Sequence, residues 1–172
     1  MKRMNFEESV FMYNDGGRFA AGFKGFANDC VCRSIAIATQ IPYRDVYDII
    51  NDVAKSERAG KRKRGKSSAR NGVYKATIRK IMAHMGWEWV PTMFVGQGCK
   101  VHLCKGELPN GRIIVNLSEH LTAMINGDVH DTGDPRRIWT APYKGQKLKT
   151  NQWIKDEILY TETRCVYGYW IN

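Results

Sequence analysis

One stretch in the second half of the chain limits the fold more than any other. His120-Leu-Thr-Ala-Met-Ile125 and Asp128-Val-His-Asp-Thr132 are strand-like runs joined by Asn126-Gly127. A two-residue type I′ turn needs positive φ at both central positions, which Asn and Gly tolerate, so the segment reads as a β-hairpin. The turn sets the register. Ile125 falls opposite Asp128, Met124 opposite Val129, Thr122 opposite Asp131 and His120 opposite Gly133. Side chains alternate between faces, so His120, Thr122 and Asp131 share one. Asp131 then lies diagonally across from His120, about 7–8 Å away at Cα, within reach of a polar side chain. Asp134 falls on the other face unless a bulge near Pro135 turns it inward.

The first half of the chain is helical in pattern. Residues 1–27 mix aromatics and glycines and read as short extended or irregular structure. Asn28 and Asp29 are good N-cap residues for a helix beginning at Cys30. Val31, Ile35 and Ala38 share a face of that helix, and Ala36 and Ile37 widen it, which predicts a buried central element. A second helix runs over 43–54, and a third over 73–85 with Gly86 closing it. Strands are predicted at Trp87–Pro91, at Arg112–Leu117, in the hairpin and at Thr163–Ile171. Residues 135–150 read as a polar loop. Helices first and antiparallel strands second give an α+β class, and 172 residues make a single domain over 1–172.

At 43% hydrophobic residues the chain can bury a core, but it has no run long enough for a membrane helix and no secretory leader pattern. The expectation is a cytoplasmic protein with no membrane partner. Five cysteines, an odd number, argue against a closed disulfide framework, so free thiols are expected. The net charge is +10, which favours an acidic partner. Arg58, Lys61, Arg62, Lys63, Arg64, Lys66 and Arg70 concentrate positive charge in the loop 58–70. That loop reads as solvated and mobile, with phosphate or nucleic-acid contact as its functional alternative.

Two residues suggest chemistry. Cys30 starts a buried helix, where the dipole and free N–H groups favour a thiolate, the form of cysteine that acts as nucleophile. His120, oriented by Asp131 or by its rival Asp134, is the matching base. Without His120 and an acid, Cys30 would read as a small core residue. Cys99-x-x-His102-x-Cys104, with Cys32 as fourth ligand, has irregular spacing for zinc, so no metal or cofactor is expected. Cys32 reads as core or as a redox neighbour of Cys30, the tryptophans as core or groove wall, and His130 and His84 as structural or surface residues.

The segment Asn28-Asp-Cys-Val-Cys-Arg-Ser-Ile-Ala-Ile-Ala-Thr-Gln-Ile-Pro-Tyr-Arg-Asp-Val-Tyr47 resembles the cysteine helix of papain-like peptidases. Further motifs resemble those of a set of small uncharacterised phage and bacterial proteins. They are Ser68-Ala-Arg-Asn-Gly72, Gly86-Trp-Glu-Trp-Val-Pro-Thr92, His120-Leu-Thr-Ala123, His130-Asp-Thr-Gly-Asp-Pro135 and Cys165-Val-Tyr-Gly-Tyr-Trp170. The resemblance implies a papain-like fold, with N-terminal helices packed on a C-terminal antiparallel sheet. It implies Cys30 as nucleophile, His120 as base and Asp131 or Asp134 as orienter. The implied activity is that of a cysteine peptidase or a related thiol acyl hydrolase or transferase on a protein or peptide substrate, in the host cytoplasm if the protein is phage-encoded. Papain-like peptidases place a Gln a few residues before the cysteine, whereas Lys24 stands here, so Asn28, Asp29 or the Cys30 backbone N–H must serve instead, with the Asn28 amide the preferred donor. The alternative reading is an inactive basic protein that binds nucleic acid or a host partner.

Overall fold

The computed structural model describes residues 7–59 and 65–172. Among them are three helices and two sheets, an α+β arrangement. No helix among the described residues is long and apolar enough to cross a membrane.

Helix α1 spans Cys30–Thr39 and is apolar almost all round: Val31, Cys32, Ile35, Ala36, Ile37 and Ala38 are buried. A helix like this needs neighbours on several sides. It packs on the large sheet beneath it and on α2 beside it. It stops at Gln40, which turns left-handed (φ 63°) and donates its N–H to Ala36 O at 3.0 Å. Pro42 then opens α2, Tyr43–Lys55, which buries Tyr43, Val46, Ile50 and Ala54 along one stripe. Helix α3, Lys75–His84, turns Thr77, Ile78, Ile81 and Met82 inward. Gly86, at φ 77°, takes the left-handed position just past its end. Each Ile buried whole, such as Ile35, Ile50 or Ile81, stabilises the fold by about 1.5–3 kcal/mol.

The six-stranded sheet has the strand order β1-β5-β4-β3-β9-β2. Its members are β1 (Phe11–Tyr13), β2 (Glu88–Pro91), β3 (Arg112–Leu117), β4 (His120–Ile125), β5 (Asp128–Asp131) and β9 (Gly168–Ile171). The hairpin β4–β5 has the register read from its turn: Ile125 pairs with Asp128, Met124 with Val129 and Ala123 with His130. Asn126 and Gly127 both have positive φ, 51° and 87°. Strand β3 is buried along Ile113–Leu117 because both faces of the sheet are covered. Ile114, Leu121, Ala123 and Trp170 face the helices. Ile113, Val115, Leu117, Met124 and Val129 face Leu103, Leu108 and Val166 on the other side.

Three expectations change. The final strand is shorter than Thr163–Ile171, and it does not close the sheet. β9 lies between β3 and β2, with β2 at the edge. The stretch after Pro135 is not all loop. β6 (Ile138–Pro142), β7 (Gln152–Lys155) and β8 (Ile158–Glu162) form a second sheet, ordered β6-β8-β7. Third, Cys99 and Cys165 are joined as a disulfide, leaving Cys30, Cys32 and Cys104 free. An odd cysteine count still allows one bridge, and strand pairing brings these two distant segments together.

Packing of β9 against β2 leaves no room at Gly168. A Cβ there would lie 2.4 Å from the Trp89 ring and 2.7 Å from Val90 O. Gly168→Ala is therefore expected to cost about 1–3 kcal/mol of stability. The check is a lower urea midpoint at unchanged slope.

Candidate active site

His120 begins β4. Leu117 pairs with His120 across a two-residue turn, Ser118-Glu119, in which Glu119 adopts φ 57°. The Arg164 guanidinium donates to Ser118 O at 2.9 Å and holds that turn. The imidazole therefore leaves the first position of a strand whose other residues are mostly buried. Its Nε2 lies 2.6 Å from Asp131 Oδ2. Asp131, the last residue of β5, is 4% exposed. Its second oxygen accepts the Thr132 N–H at 2.7 Å and lies 3.4 Å from Arg33 Nη2.

Helix α1 presents Cys30 from the opposite side. The thiol faces the His120 ring and the Leu121 backbone across one cleft, near enough for both to favour its ionised form. With Nε2 engaged by Asp131, Nδ1 is the ring nitrogen left for the sulfur. The three side chains thus lie in the order thiol, imidazole, carboxylate, with the imidazole bonded to the carboxylate. The N-terminal N–H groups of α1 add positive potential at the sulfur.

The electrostatics follow from these contacts. Burial opposes ionisation of Cys30. The His120 hydrogen bond, the Leu121 N–H, and the charges of His120 and Arg33 outweigh it, and the thiol sits below its ordinary value. Burial lowers the imidazole, but the Asp131 hydrogen bond, followed by the Cys30 hydrogen bond and both charges, raises it to about 9. Burial pushes the Asp131 carboxyl up, and the hydrogen bond and charge of His120 bring it below the usual range. Cys32, two residues along the helix, shows burial without a histidine beside it. Its Sγ lies 3.8 Å from Tyr43 O, and burial outweighs Tyr43 and the charges of Arg33 and Arg18 and pushes the thiol up to about 12.

Asp29 departs from its expected capping role. It occupies the N-cap position, but its side chain makes no cap bond. The carboxylate is 1% exposed and binds Arg18 Nε (3.0 Å), Tyr43 Oη (2.5 Å) and the Arg33 guanidinium. Arg33 thus bridges Asp29 beneath Cys30 to Asp131 behind His120. Reading the sequence missed this network. Its only trace was a charged residue, Arg33, inside an otherwise apolar helix. Asp134, the rival orienter, lies beyond β5 and is taken by Arg136, whose Nε and Nη2 donate to it at 2.9 and 2.7 Å. His130 points away from the site, 3.3 Å from Asn14 Nδ2.

Cys30 and His120 open into a cleft of about 510 Å³, lined also by Asn28, Asn71, Lys75 and Asn116. Asn28 is exposed at its rim and donates its backbone N–H to Arg70 O at 2.8 Å. Lys24 is exposed, and its carbonyl accepts from Arg18 and Arg70. Arg70 was expected to belong to a free basic loop. Instead it braces the approach to Cys30, donating to Phe26 O at 3.0 Å. Arg58 and Lys66 are exposed, while Lys61, Arg62, Lys63 and Arg64 lie outside the described residues.

No family model matches the chain, and neither a curated protein nor a solved structure matches it.

Proposed function

We propose that the chain is a papain-like cysteine hydrolase in which Cys30, His120 and Asp131 act as nucleophile, base and orienter. The observation that carries this reading is the His120–Asp131 hydrogen bond with Cys30 facing the same ring across the cleft, where the thiol is lowered and the imidazole raised. Structural cysteines and histidines have no need of that charge arrangement, whereas a nucleophile does.

The chemistry follows from the atoms. The Cys30 thiolate attacks an acyl carbonyl carbon and forms a C–S bond. The carbonyl oxygen takes up negative charge, facing the Cys30 backbone N–H and the Asn28 amide at the cleft rim. The His120 imidazolium gives its proton to the leaving nitrogen or oxygen as that bond breaks, which leaves a thioester. Neutral His120 then removes a proton from water, and the resulting hydroxide attacks the thioester carbonyl. The C–S bond breaks and the thiolate returns. An amine in place of water gives transfer. Asp131 holds the ring with one nitrogen toward the sulfur and stabilises the imidazolium.

A generic activated ester tests this without knowledge of the natural substrate. p-Nitrophenyl acetate is expected to give a burst of nitrophenolate and a thioester-linked acetyl on Cys30, lost on standing. Cys30→Ala removes both. Acetylation confined to lysines, with no thioester at Cys30, overturns the reading.

A further inference from the structure

Away from the cleft, another set of soft ligand atoms converges. The Sγ atoms of Cys99 and Cys165 and a ring nitrogen of His102 lie within 4.8 Å of one another. The backbone holds them there. His102 and Cys165 form a β-bridge, Leu103 N donates to Arg164 O at 3.0 Å, and Val166 N donates to Val101 O at 2.9 Å. His102 thus stays beside Cys165 independently of the disulfide, with Cys99 three residues ahead of it in the chain.

The histidine is also pre-set. Its Nδ1 lies 3.0 Å from Glu107 Oε2, which accepts the His102 backbone N–H at 2.6 Å as well. The other Glu107 oxygen accepts from Thr150 Oγ1 at 2.6 Å. A carboxylate on one ring nitrogen fixes the tautomer and leaves Nε2 with a free lone pair, as at imidazoles that bind metals.

We propose that, once the Cys99–Cys165 disulfide is reduced, this cluster binds one Zn²⁺ through two thiolates and the His102 imidazole. The fourth position is open to water or an exogenous ligand. A dithiol reductant supplies two electrons and two protons to the disulfide and closes to its own disulfide. Zinc then displaces the two thiol protons. Two sulfurs and one nitrogen suit zinc among the common divalent ions. Disulfide and zinc forms exclude each other, because the same two sulfurs serve both. The ligand set differs from the one the spacing suggested. Cys104 is buried with its Sγ 4.0 Å from Thr150 O, Cys32 lies in the helical core, and Cys165 takes their place. The segment after Cys165 also donates Tyr167 N to Asn116 O at 2.9 Å, so the clamp adjoins β3, the strand paired with the one that carries His120.

Cobalt is the spectroscopic probe. The chain is reduced anaerobically with dithiothreitol, desalted and titrated with Co²⁺. Thiolate-to-cobalt charge transfer and tetrahedral d–d bands are expected, saturating at one cobalt per chain and erased by Zn²⁺. Cys165→Ser and His102→Ala abolish the spectrum, whereas Cys104→Ser and Cys30→Ser keep it. Glu107→Gln weakens zinc affinity about 10–100-fold. A second measurement needs no variant: in the reduced wild type, zinc shields Cys99 and Cys165, but not Cys104, from iodoacetamide, as read by peptide mass mapping. A reduced, folded chain without charge-transfer absorption overturns the proposal. So does shielding of Cys104 in place of Cys165.

Discussion

His120→Ala is expected to slow iodoacetamide alkylation of Cys30 at pH 6.5 by about 100-fold. Burial alone raises the Cys30 thiol. It is the hydrogen bond and charge of His120, with the Leu121 N–H and Arg33, that bring it below its ordinary value. Without the imidazole, burial dominates, as it does at Cys32 on the same helix. The thiolate fraction at pH 6.5 then falls tenfold for each unit of the rise. A more basic thiolate is intrinsically more nucleophilic, which returns part of that loss. The pH profile separates the two forms. In the wild type, the thiolate–imidazolium pair exists above the lowered Cys30 value and below about 9, where His120 loses its proton. Alkylation therefore rises early. Turnover of an amide, whose leaving amine needs a proton from the imidazolium, falls again as the pH passes about 9. In the variant, alkylation rises only in the alkaline range. Equal rates for the two proteins at pH 6.5 would mean that no ion pair activates Cys30.

The parts of this arrangement that were legible in the sequence share a physical reason. Asn126-Gly127 specifies its own dihedrals, so the hairpin register and the common face of His120 and Asp131 followed from local chemistry. The three helices were visible for a similar reason, since each buries a stripe at helical spacing. The second sheet was not visible. Its turn between β7 and β8 uses Asp156-Glu157 with φ of 50° and 63°, residues that carry no strong turn signal. The Cys99–Cys165 pairing and the place of β9 between β3 and β2 are long-range facts, set by which strands meet. Asp29 shows a different limit. A residue at an N-cap position usually serves its own helix, but the Arg18 and Arg33 guanidiniums and the buried Tyr43 hydroxyl outcompete the cap.

Asp131→Asn is expected to leave the chain folded and to lower ester turnover by about 10³–10⁴-fold, while Asp134→Asn leaves turnover unchanged. The geometry makes the difference. Asp131 Oδ2 sits 2.6 Å from His120 Nε2 at the end of a paired strand. An amide there can present its NH₂ group to that nitrogen and favour the tautomer that protonates the side facing Cys30. The base is then blocked, and the charge that raised the imidazole is gone. The alkylation profile of Cys30 therefore moves toward higher pH along with the loss of turnover, a shift that a purely structural role would not cause. Asp134 acts elsewhere. It holds Arg136, which donates to Ser9 O and so anchors the chain just ahead of β1. Its replacement is felt as a modest loss of stability. Arg33 is the positioning residue behind both halves, because it touches Asp131 and Asp29 together. Arg33→Lys keeps a charge but loses the fork that spans the two carboxylates, so it should shift the Cys30 profile in the same direction by less. Loss of turnover in Asp134→Asn with none in Asp131→Asn would transfer the role. Unfolding of both variants alike would make these carboxylates part of the scaffold and reduce the catalytic series to Cys30 and His120.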